Sequence, residues 1–424
     1  YRPISLLPII SKVLERCVFN NVKYHVYEQI SHSQNGFMPR KSCITQLVEV
    51  LDRIGQELDR GKQVDVLYLD MSKAFDKVSH AKLLHRLRQF GFGGNILKWF
   101  RSYLSNRRQR TTISGTTSKS LPVTSGVPQG SILGPLLFLL YEDHLSKAVR
   151  TSNISTFADD TKIFRTINSD TDVLALQLDL TNFEESSKNI NLNLNASKCK
   201  VLRVTRKHNK VMYPYKLSCE TILSSTDCER DLGVLTTPDL TWSNHIDHQC
   251  NKANKILGFV RRSTLDIKST TVRRTLYLSL VRAQLCYGSQ IWAPQTITRI
   301  QQAERLQRRA TKFILNLPFR CTITYKERLS QLKLIPLSYW HEYLDMIFFF
   351  KLIHGITSID NTLLPSPIYN MRATRSTSPT HLSFITTRCK TTTYQKSYLN
   401  RSTRLWNSLP KELTRNYVSL NEFK

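Results

Sequence analysis

Thr156-Phe157-Ala158-Asp159-Asp160-Thr161 decides how the rest of this chain is read. Ile154 precedes the two carboxylates and Ile163-Phe164 follow them, so short β-prone runs flank an Asp-Asp pair. That pattern predicts a hairpin, because Asp tolerates turn geometry. Such a turn projects both carboxylates from one sheet edge, where they repel each other, and a divalent cation relieves that repulsion. A solvated Asp-Asp turn is the alternative for these residues taken alone.

Two upstream stretches sharpen the reading. Val64-Asp65-Val66-Leu67-Tyr68-Leu69 is mostly apolar and predicts a buried central strand. It ends at Asp70, where a side chain can leave the sheet for a cleft, and continues through Met71-Ser72-Lys73-Ala74-Phe75-Asp76. Between the acidic sites lies Ser125-Gly126-Val127-Pro128-Gln129-Gly130-Ser131, whose glycines and proline suit backbone brought close to a ligand. The run from Ile132 to Phe138 then turns apolar and helix-like.

Composition limits the partners. The 424 residues hold 61 Lys/Arg against 32 Asp/Glu, a net charge of +29, which suits a polyanion and makes nucleic-acid binding salt-dependent. Anionic membrane is the competing polyanion, but no apolar run approaches the ~20 residues of a spanning helix. Nine scattered cysteines with no Cys-x-x-Cys indicate a reducing, intracellular compartment. Chain length allows two or three domains.

Helical faces follow in order: Ile44, Leu47, Val48, Leu51 and Ile54; Leu83, Leu84, Leu87 and Phe90, closed by Gly91; then Ile96, Trp99, Phe100, Tyr103 and Leu104. Val173, Leu176, Leu180 and Phe183 mark another, before a strand from Cys199 to Val204. Residues from Ile246 to Leu285 read as long, helical and basic, and Ile300 to Leu315 as a further basic helix. The last ninety or so residues are Leu-rich to Ile353 and loop-like from Ile356 to Thr393.

Other blocks join these: Arg2-Pro3-Ile4-Ser5-Leu6-Leu7, Ser11-Lys12-Val13-Leu14-Glu15, Gln34-Asn35-Gly36-Phe37 and Thr45-Gln46-Leu47. Further on come Asp231-Leu232-Gly233-Val234, Trp242, His245-Ile246 and Arg404-Leu405-Trp406-Asn407-Ser408-Leu409-Pro410. Over nearly its whole length the chain resembles reverse transcriptases of non-long-terminal-repeat (non-LTR, LINE-type) retrotransposons, most of all the jockey-like group. The resemblance implies an α/β (α+β) right-hand polymerase. Fingers would occupy 1–62 with a return at 84–118, an antiparallel-sheet palm 63–244, a helical thumb 245–330 and a basic C-terminal region 331–424. It implies RNA-directed DNA synthesis from dNTPs on the element's RNA template, primed by a DNA 3′-hydroxyl at a nicked chromosomal target. Synthesis would take place in the nucleus and particle assembly in the cytoplasm. An endonuclease domain commonly precedes the polymerase in jockey-like elements, so the chain is expected to be a fragment lacking it.

The resemblance also assigns residues. Two Mg²⁺, or Mn²⁺ in their place, are expected on Asp70 and Asp159, with Asp160 third and the Met71 carbonyl completing one site. Phe75 matches the family's steric gate against a ribose 2′-hydroxyl, and Gln129 and Gly130 are expected beside the incoming nucleotide and template. Met38 stands where many relatives have Arg, leaving Arg40 and Lys41 as the candidate cations near the nucleotide, or as a solvated loop. Lys198 matches a proton donor to pyrophosphate, or is a surface lysine beside a turn. Leu232-Gly233 resemble the hairpin that grips the primer end. Arg107, Arg108 and Arg110, and later Lys252, Arg261, Arg262, Arg273 and Arg274, are expected along template or duplex phosphates, or on solvated faces.

Two other classes stay open. A two-metal nuclease would use the same carboxylates but needs neither the Pro-Gln-Gly block nor an aromatic gate. A decayed, catalytically inactive remnant acting as a basic RNA/DNA-binding protein would keep the charge. Glu142-Asp143-His144 departs from the family's usual Ile-Asn-Asp run and reads as local helix structure, and Trp340-His341 replaces a common Arg-Arg.

Overall fold

The computed structural model describes residues 4–218, 220–318, 320–368, 382–414 and 419–423, so Arg2 and Pro3 of the opening block lie outside the described residues. The chain forms two compact units, Tyr1–Cys43 with Lys62–Thr226, and Ile44–Gly61 with Asp227–Lys424.

The first unit opens with α1 (Ile9–Gln29). Helix α2 (Cys43–Asp59) follows in sequence but packs within the second unit. Strand β1 (Gln63–Leu69) has Val64, Val66, Leu67 and Leu69 buried, so both of its faces are covered and the run is nearly all apolar. Asp65, buried at its middle, accepts from Tyr215 Oη and Gln63 Nε2, each at 2.8 Å, and lies 3.9 Å from Arg203. Burial outweighs these partners and pushes its carboxyl above the usual range.

Helices α3 (His80–Gln89) and α4 (Gly94–Leu104) match the faces read from sequence. Gly91 takes φ +85° just past α3, and Phe92 N donates back to Leu87 O at 3.0 Å, closing the helix end as a glycine there predicts. Four two-residue strands follow, β2 (Arg108–Gln109), β3 (Thr112–Ile113), β4 (Thr116–Thr117) and β5 (Leu121–Pro122). They pair as β2 with β5 and β3 with β4, and every strand residue is exposed. No apolar–polar alternation marks this ribbon, which is why the sequence reading missed it.

Helix α5 (Gly134–Glu142) is buried from Leu136 through Glu142, as a helix apolar all round but for its last residue must be. The buried Glu15 of α1 accepts from Ile132 N at 2.7 Å and Leu133 N at 3.3 Å, fixing the loop ahead of α5. Next come β6 (Asn153–Phe157), β7 (Asp160–Ile167), α6 (Asp170–Asn189), β8 (Lys200–Val204) and β9 (Ser224–Thr226). The sheet order is β6-β7-β1-β8-β9, antiparallel except for the final β8–β9 pair. β1 is central, with Val66 opposite Phe164 of β7 and Leu202 of β8. Val173, Leu176, Leu180 and Phe183 of α6 belong to the core beside this sheet.

The second unit contains the hairpin β10 (Glu229–Asp231) and β11 (Val234–Thr236), then helices α7 (Ser243–Ser263), α8 (Thr270–Leu276), α9 (Ala283–Cys286) and α10 (Ser289–Trp292). A π-helical segment, Tyr277–Arg282, joins α8 to α9. The long helix expected from Ile246 to Leu285 is therefore interrupted after Ser263, and Ser269 Oγ caps the restart by accepting from Val272 N. Helices α11 (Ile297–Ile314), α12 (Tyr325–Gln331), α13 (Leu337–Ile353), α14 (Thr392–Gln395), α15 (Tyr398–Ser408) and α16 (Leu420–Phe423) complete it. Phe349 of α13 packs on Trp406 of α15 with ring centroids 5.5 Å apart, and Trp406 Nε1 donates to Leu382 O at 2.9 Å. From α2, Asp59 accepts from Thr391 N at 2.7 Å, and Asp52 from Tyr394 Oη at 3.4 Å. Among the described residues no helix is long and apolar enough to cross a membrane.

Candidate active site

The hairpin read from Asp159-Asp160 is present. Phe157 of β6 pairs with Asp160 of β7, leaving Ala158 and Asp159 as a two-residue turn with Ala158 at φ 53°. Leu69 ends β1 opposite Thr161, so the register carries Asp70 toward Asp160 at the sheet end that holds this turn. Three segments distant in sequence thus meet: the end of β1, the β6–β7 turn and the residues before β8.

The last of these runs alongside Asp70 and Met71. Met71 bridges Leu194, Asn195 N donates to Asp70 O at 2.8 Å, and Ser72 N donates to Asn193 O at 3.0 Å. That alignment delivers Lys198, whose Nζ lies 3.1 Å from Asp70 Oδ2. The Asp70 side chain is 24% exposed and that of Lys198 62%, so the pair faces solvent from the sheet end.

The strand register brings Asp70, Asp159 and Asp160 to the same sheet end. Among the described residues no three His, Cys, Asp or Glu side chains form a group that could hold a metal ion. Like-charged carboxylates repel, and Asp70 finds its counter-charge in Lys198. The donor chemistry nevertheless fits a hard cation: carboxylate oxygens stand at one sheet end, and an ammonium already occupies a cation position at Asp70.

Phe75 sits in a single 3₁₀ turn, Ala74–Lys77, half-buried. Its ring stacks on Phe138 of α5, with centroids 4.3 Å apart and planes at 12°, and meets Phe37 edge-on at 6.2 Å. The Pro-Gln-Gly loop is stitched to the same segment. Val127 N donates to Phe75 O at 2.9 Å, Gly126 N to Val78 O at 2.8 Å, and Gln129 Nε2 to Asp76 Oδ1 at 3.2 Å. Gly126 has φ +89°, and a Cβ there would fall 2.9 Å from Asp76 O, so only glycine fits this approach. Gly130 is exposed, and Gln129 O accepts from Ser5 N at 2.7 Å.

Arg40 is exposed with φ 61°. The Lys41 ammonium donates to His32 O at 2.5 Å and Gln34 O at 2.9 Å, which secures the loop it belongs to. Arg107 lies over the Tyr103 ring at 5.1 Å, Arg108 donates to Ser120 O at 2.8 Å, and Arg110 is exposed on the ribbon.

Sequence reasoning read Glu142 only as local helix structure and gave Gln34 no role of its own. Glu142 is 5% exposed, and Gln34 Nε2 donates to its Oε1 at 2.5 Å. Burial, with Asp159 and Asp143 nearby, holds the Glu142 carboxyl well above the usual range. An acid closing an otherwise apolar helix was the available signal, since a buried carboxyl needs a partner.

In the second unit, Leu232 and Gly233 form the β10–β11 turn with φ 43° and 88°. Tyr287 Oη donates to Leu232 O at 2.8 Å, and a Cβ on Gly233 would approach Tyr287 Cε1 at 3.1 Å. Lys252, Arg261 and Arg262 are exposed on α7. Arg274 is half-buried and donates to Leu332 O at 2.8 Å. Arg273 departs from the phosphate-facing reading. It is 4% exposed, donates to Ile267 O at 2.7 Å, Phe313 O at 2.9 Å and Asn316 Oδ1 at 3.2 Å, and lies over the Phe313 ring. Its charge sits at the C-terminal end of α11, where the helix dipole favours a cation.

Residues 1–256 match the reverse transcriptase (RNA-dependent DNA polymerase) family. A probable RNA-directed DNA polymerase from transposon X-element of Drosophila melanogaster is 28% identical over 327 residues, 74% of this chain and 35% of that protein. The RNA-directed DNA polymerase from mobile element jockey of Drosophila funebris is 27% identical over 338 residues, 75% of this chain and 36% of that one. The chain spans about a third of the length of these relatives. Among solved structures, apo telomerase from Candida Tropicalis aligns over 83% of this chain and 59% of that one, at 10% identity and a TM-score of 0.39. With more than half of its residues inside the family match, the chain belongs to the reverse transcriptase family.

Proposed function

We propose that this chain is the RNA-directed DNA polymerase portion of a jockey-like non-LTR retrotransposon, extending a DNA 3′-hydroxyl on an RNA template. The observation that carries the proposal is Asp70 at the end of the central strand, in register with the Asp159–Asp160 turn. Asp70, Asp159 and Asp160, with the Met71 carbonyl, are the residues that would hold Mg²⁺ or Mn²⁺. Bound there, two such ions supply activation of the 3′-hydroxyl and charge neutralisation on the leaving pyrophosphate.

The chain's own groups do the rest. Lys198, salt-bridged to Asp70, holds a proton on Nζ that it can pass to the leaving pyrophosphate oxygen. Phe75 presents a ring braced by Phe138 against the sugar of an incoming dNTP, excluding a 2′-hydroxyl. Gln129 and Gly130 lie on a loop pinned to the Phe75 segment and line the same nucleotide. The Leu232–Gly233 turn holds the primer end, while Arg107, Arg108, Arg110, Lys252, Arg261 and Arg262 bind phosphates. The net charge of +29 supports a nucleic-acid partner. Reverse transcription at a nicked chromosomal site would place the protein in the nucleus.

Primer extension on poly-rA/oligo-dT with Mg²⁺ tests the proposal. Incorporation of dTTP that is lost in Asp159→Asn is expected. A folded protein that binds the primer–template but adds no nucleotide would refute it.

A further inference from the structure

The turn that carries Asp159 is gripped by a loop far away in sequence. Residues 33–36 run beside β6: Thr156 N donates to Ser33 O at 2.9 Å and Asn35 N to Thr156 O at 2.8 Å. Gly36 lies directly against the turn, since a Cβ there would stand 2.3 Å from Ala158 N. Within this close approach the Gln34 side chain, 5% exposed, is fully engaged. Its Oε1 accepts from Gly36 N at 2.7 Å and from Ala158 N at 3.0 Å, and its Nε2 donates to Glu142 Oε1 at 2.5 Å. Two N–H groups aimed at one end of the carboxamide require oxygen there, so the nitrogen must face Glu142.

The grip answers a local strain. Ala158 takes φ 53°, a left-handed conformation that a residue with a Cβ adopts at about 1 kcal/mol or more. Neither Gly nor Asn supplies this turn with an easy backbone, so a bond from outside the hairpin must hold it. Gln34 makes that bond at Ala158 N, one residue before Asp159.

We propose that Gln34, oriented by Glu142, is a positioning residue that fixes the turn presenting Asp159. The geometry stands by itself; its consequence for catalysis rests on the polymerase reading above. Gln34 and Glu142 touch no reacting atom. They set the direction in which the Asp159 carboxylate leaves the sheet, and partners of ligating carboxylates commonly change metal affinity 10- to 100-fold when removed.

The test pairs disruptive and conservative variants. Gln34→Leu removes all three bonds, Glu142→Leu removes the acceptor, and Glu142→Gln restores one through its amide oxygen. Three readouts are taken on the full chain: amide exchange of the peptide spanning residues 154–160 by mass spectrometry, Mn²⁺ affinity by electron paramagnetic resonance, and kcat against KM for primer–template. In Gln34→Leu and Glu142→Leu the expected results are faster exchange at the turn, Mn²⁺ affinity weakened about tenfold or more, and kcat reduced with KM unchanged. Glu142→Gln should recover most of each loss. Gln34→Asn, too short to span both partners, serves if Gln34→Leu does not fold. Wild-type exchange and Mn²⁺ affinity in a folded Gln34 variant would overturn the proposal, as would Glu142→Gln behaving like Glu142→Leu. If wild-type protein extends no primer while the exchange differences persist, the polymerase reading fails and the grip stands.

Discussion

Replacing Phe75 with valine tests where the incoming nucleotide sits. The ring is half-buried, stacked 4.3 Å from Phe138 and edge-on to Phe37. Deleting a fully buried Phe costs about 3–5 kcal/mol. Here part of the ring faces solvent and valine keeps two methyl groups, so a loss of about 1–2 kcal/mol is expected, much of it from the stack. The backbone should stay in place, because Phe75 O accepts from Val127 N at 2.9 Å within the pinned loop. The effect on selectivity is larger than on stability. Overlap in a packed site costs about 1–3 kcal/mol, so relieving it should reduce dNTP preference over rNTP by about 5- to 150-fold. Competition between dCTP and rCTP in single-nucleotide incorporation measures this directly, with a melting temperature to show that Phe75→Val is folded. A folded variant with the wild-type discrimination ratio would show that Phe75 is a core residue and that the nucleotide lies elsewhere.

Asp159→Asn should abolish primer extension while primer–template affinity stays within about twofold, since it removes a carboxylate and no phosphate contact; near-full activity would refute its ligand role. Arg261→Ala and Arg262→Ala should each reduce the slope of log K against log salt by about one. Arg273→Ala should leave that slope unchanged but destabilise by about 2–4 kcal/mol in urea unfolding, as it strips the Ile267 and Phe313 carbonyls of a buried donor. Burial lifts the Asp52 carboxyl to about 6, above its ordinary 3.8, so the folded state binds its proton more tightly than the unfolded one. Stability from this group is full below pH 4 and is lost as pH rises through about 6, by up to about 3 kcal/mol at 1.36 kcal/mol per unit. Asp52→Asn should therefore stabilise the protein at pH 8 relative to wild type and not at pH 4; equal shifts at both pH values would contradict the assignment.

What could be read from the sequence divides along physical lines. β1, the Asp159–Asp160 hairpin and the faces of α3, α4 and α6 were legible because burial imposes a period on the residues themselves. The ribbon at 108–122 was not, because its strands are exposed on both sides and need no pattern. Arg273 and Lys41 look like their solvent-facing neighbours in sequence, and only the carbonyls around them distinguish a structural cation from a binding one. α2 was legible as an amphipathic helix, but nothing in its own residues says that its partners are Asp360, Tyr394 and Thr391. At the candidate site Asp70, Asp159 and Lys198 could be picked out as candidates, but the Asp70–Lys198 pair could not be read. Lys198 reaches Asp70 through the 193–195 backbone ladder, a contact that side-chain chemistry alone does not announce.

The position of β1 in the sheet has a consequence in time. Val66 is bonded between Phe164 on one side and Leu202 on the other, and both partners are made long after it. At about 5–20 residues per second, a ribosome needs about 7 to 27 seconds for the 135 residues between the end of β1 and the end of β8. Until residue 167 has been made Val64 to Leu69 has two open edges, and the edge that β8 will cover stays open until residue 204, the kind of segment that recruits other chains. Closing so large a loop adds little to the final free energy, because its entropy grows only with the logarithm of length. The burden falls on synthesis instead: yield in cells should depend on chaperones that shield the nascent strand until residue 204 has emerged.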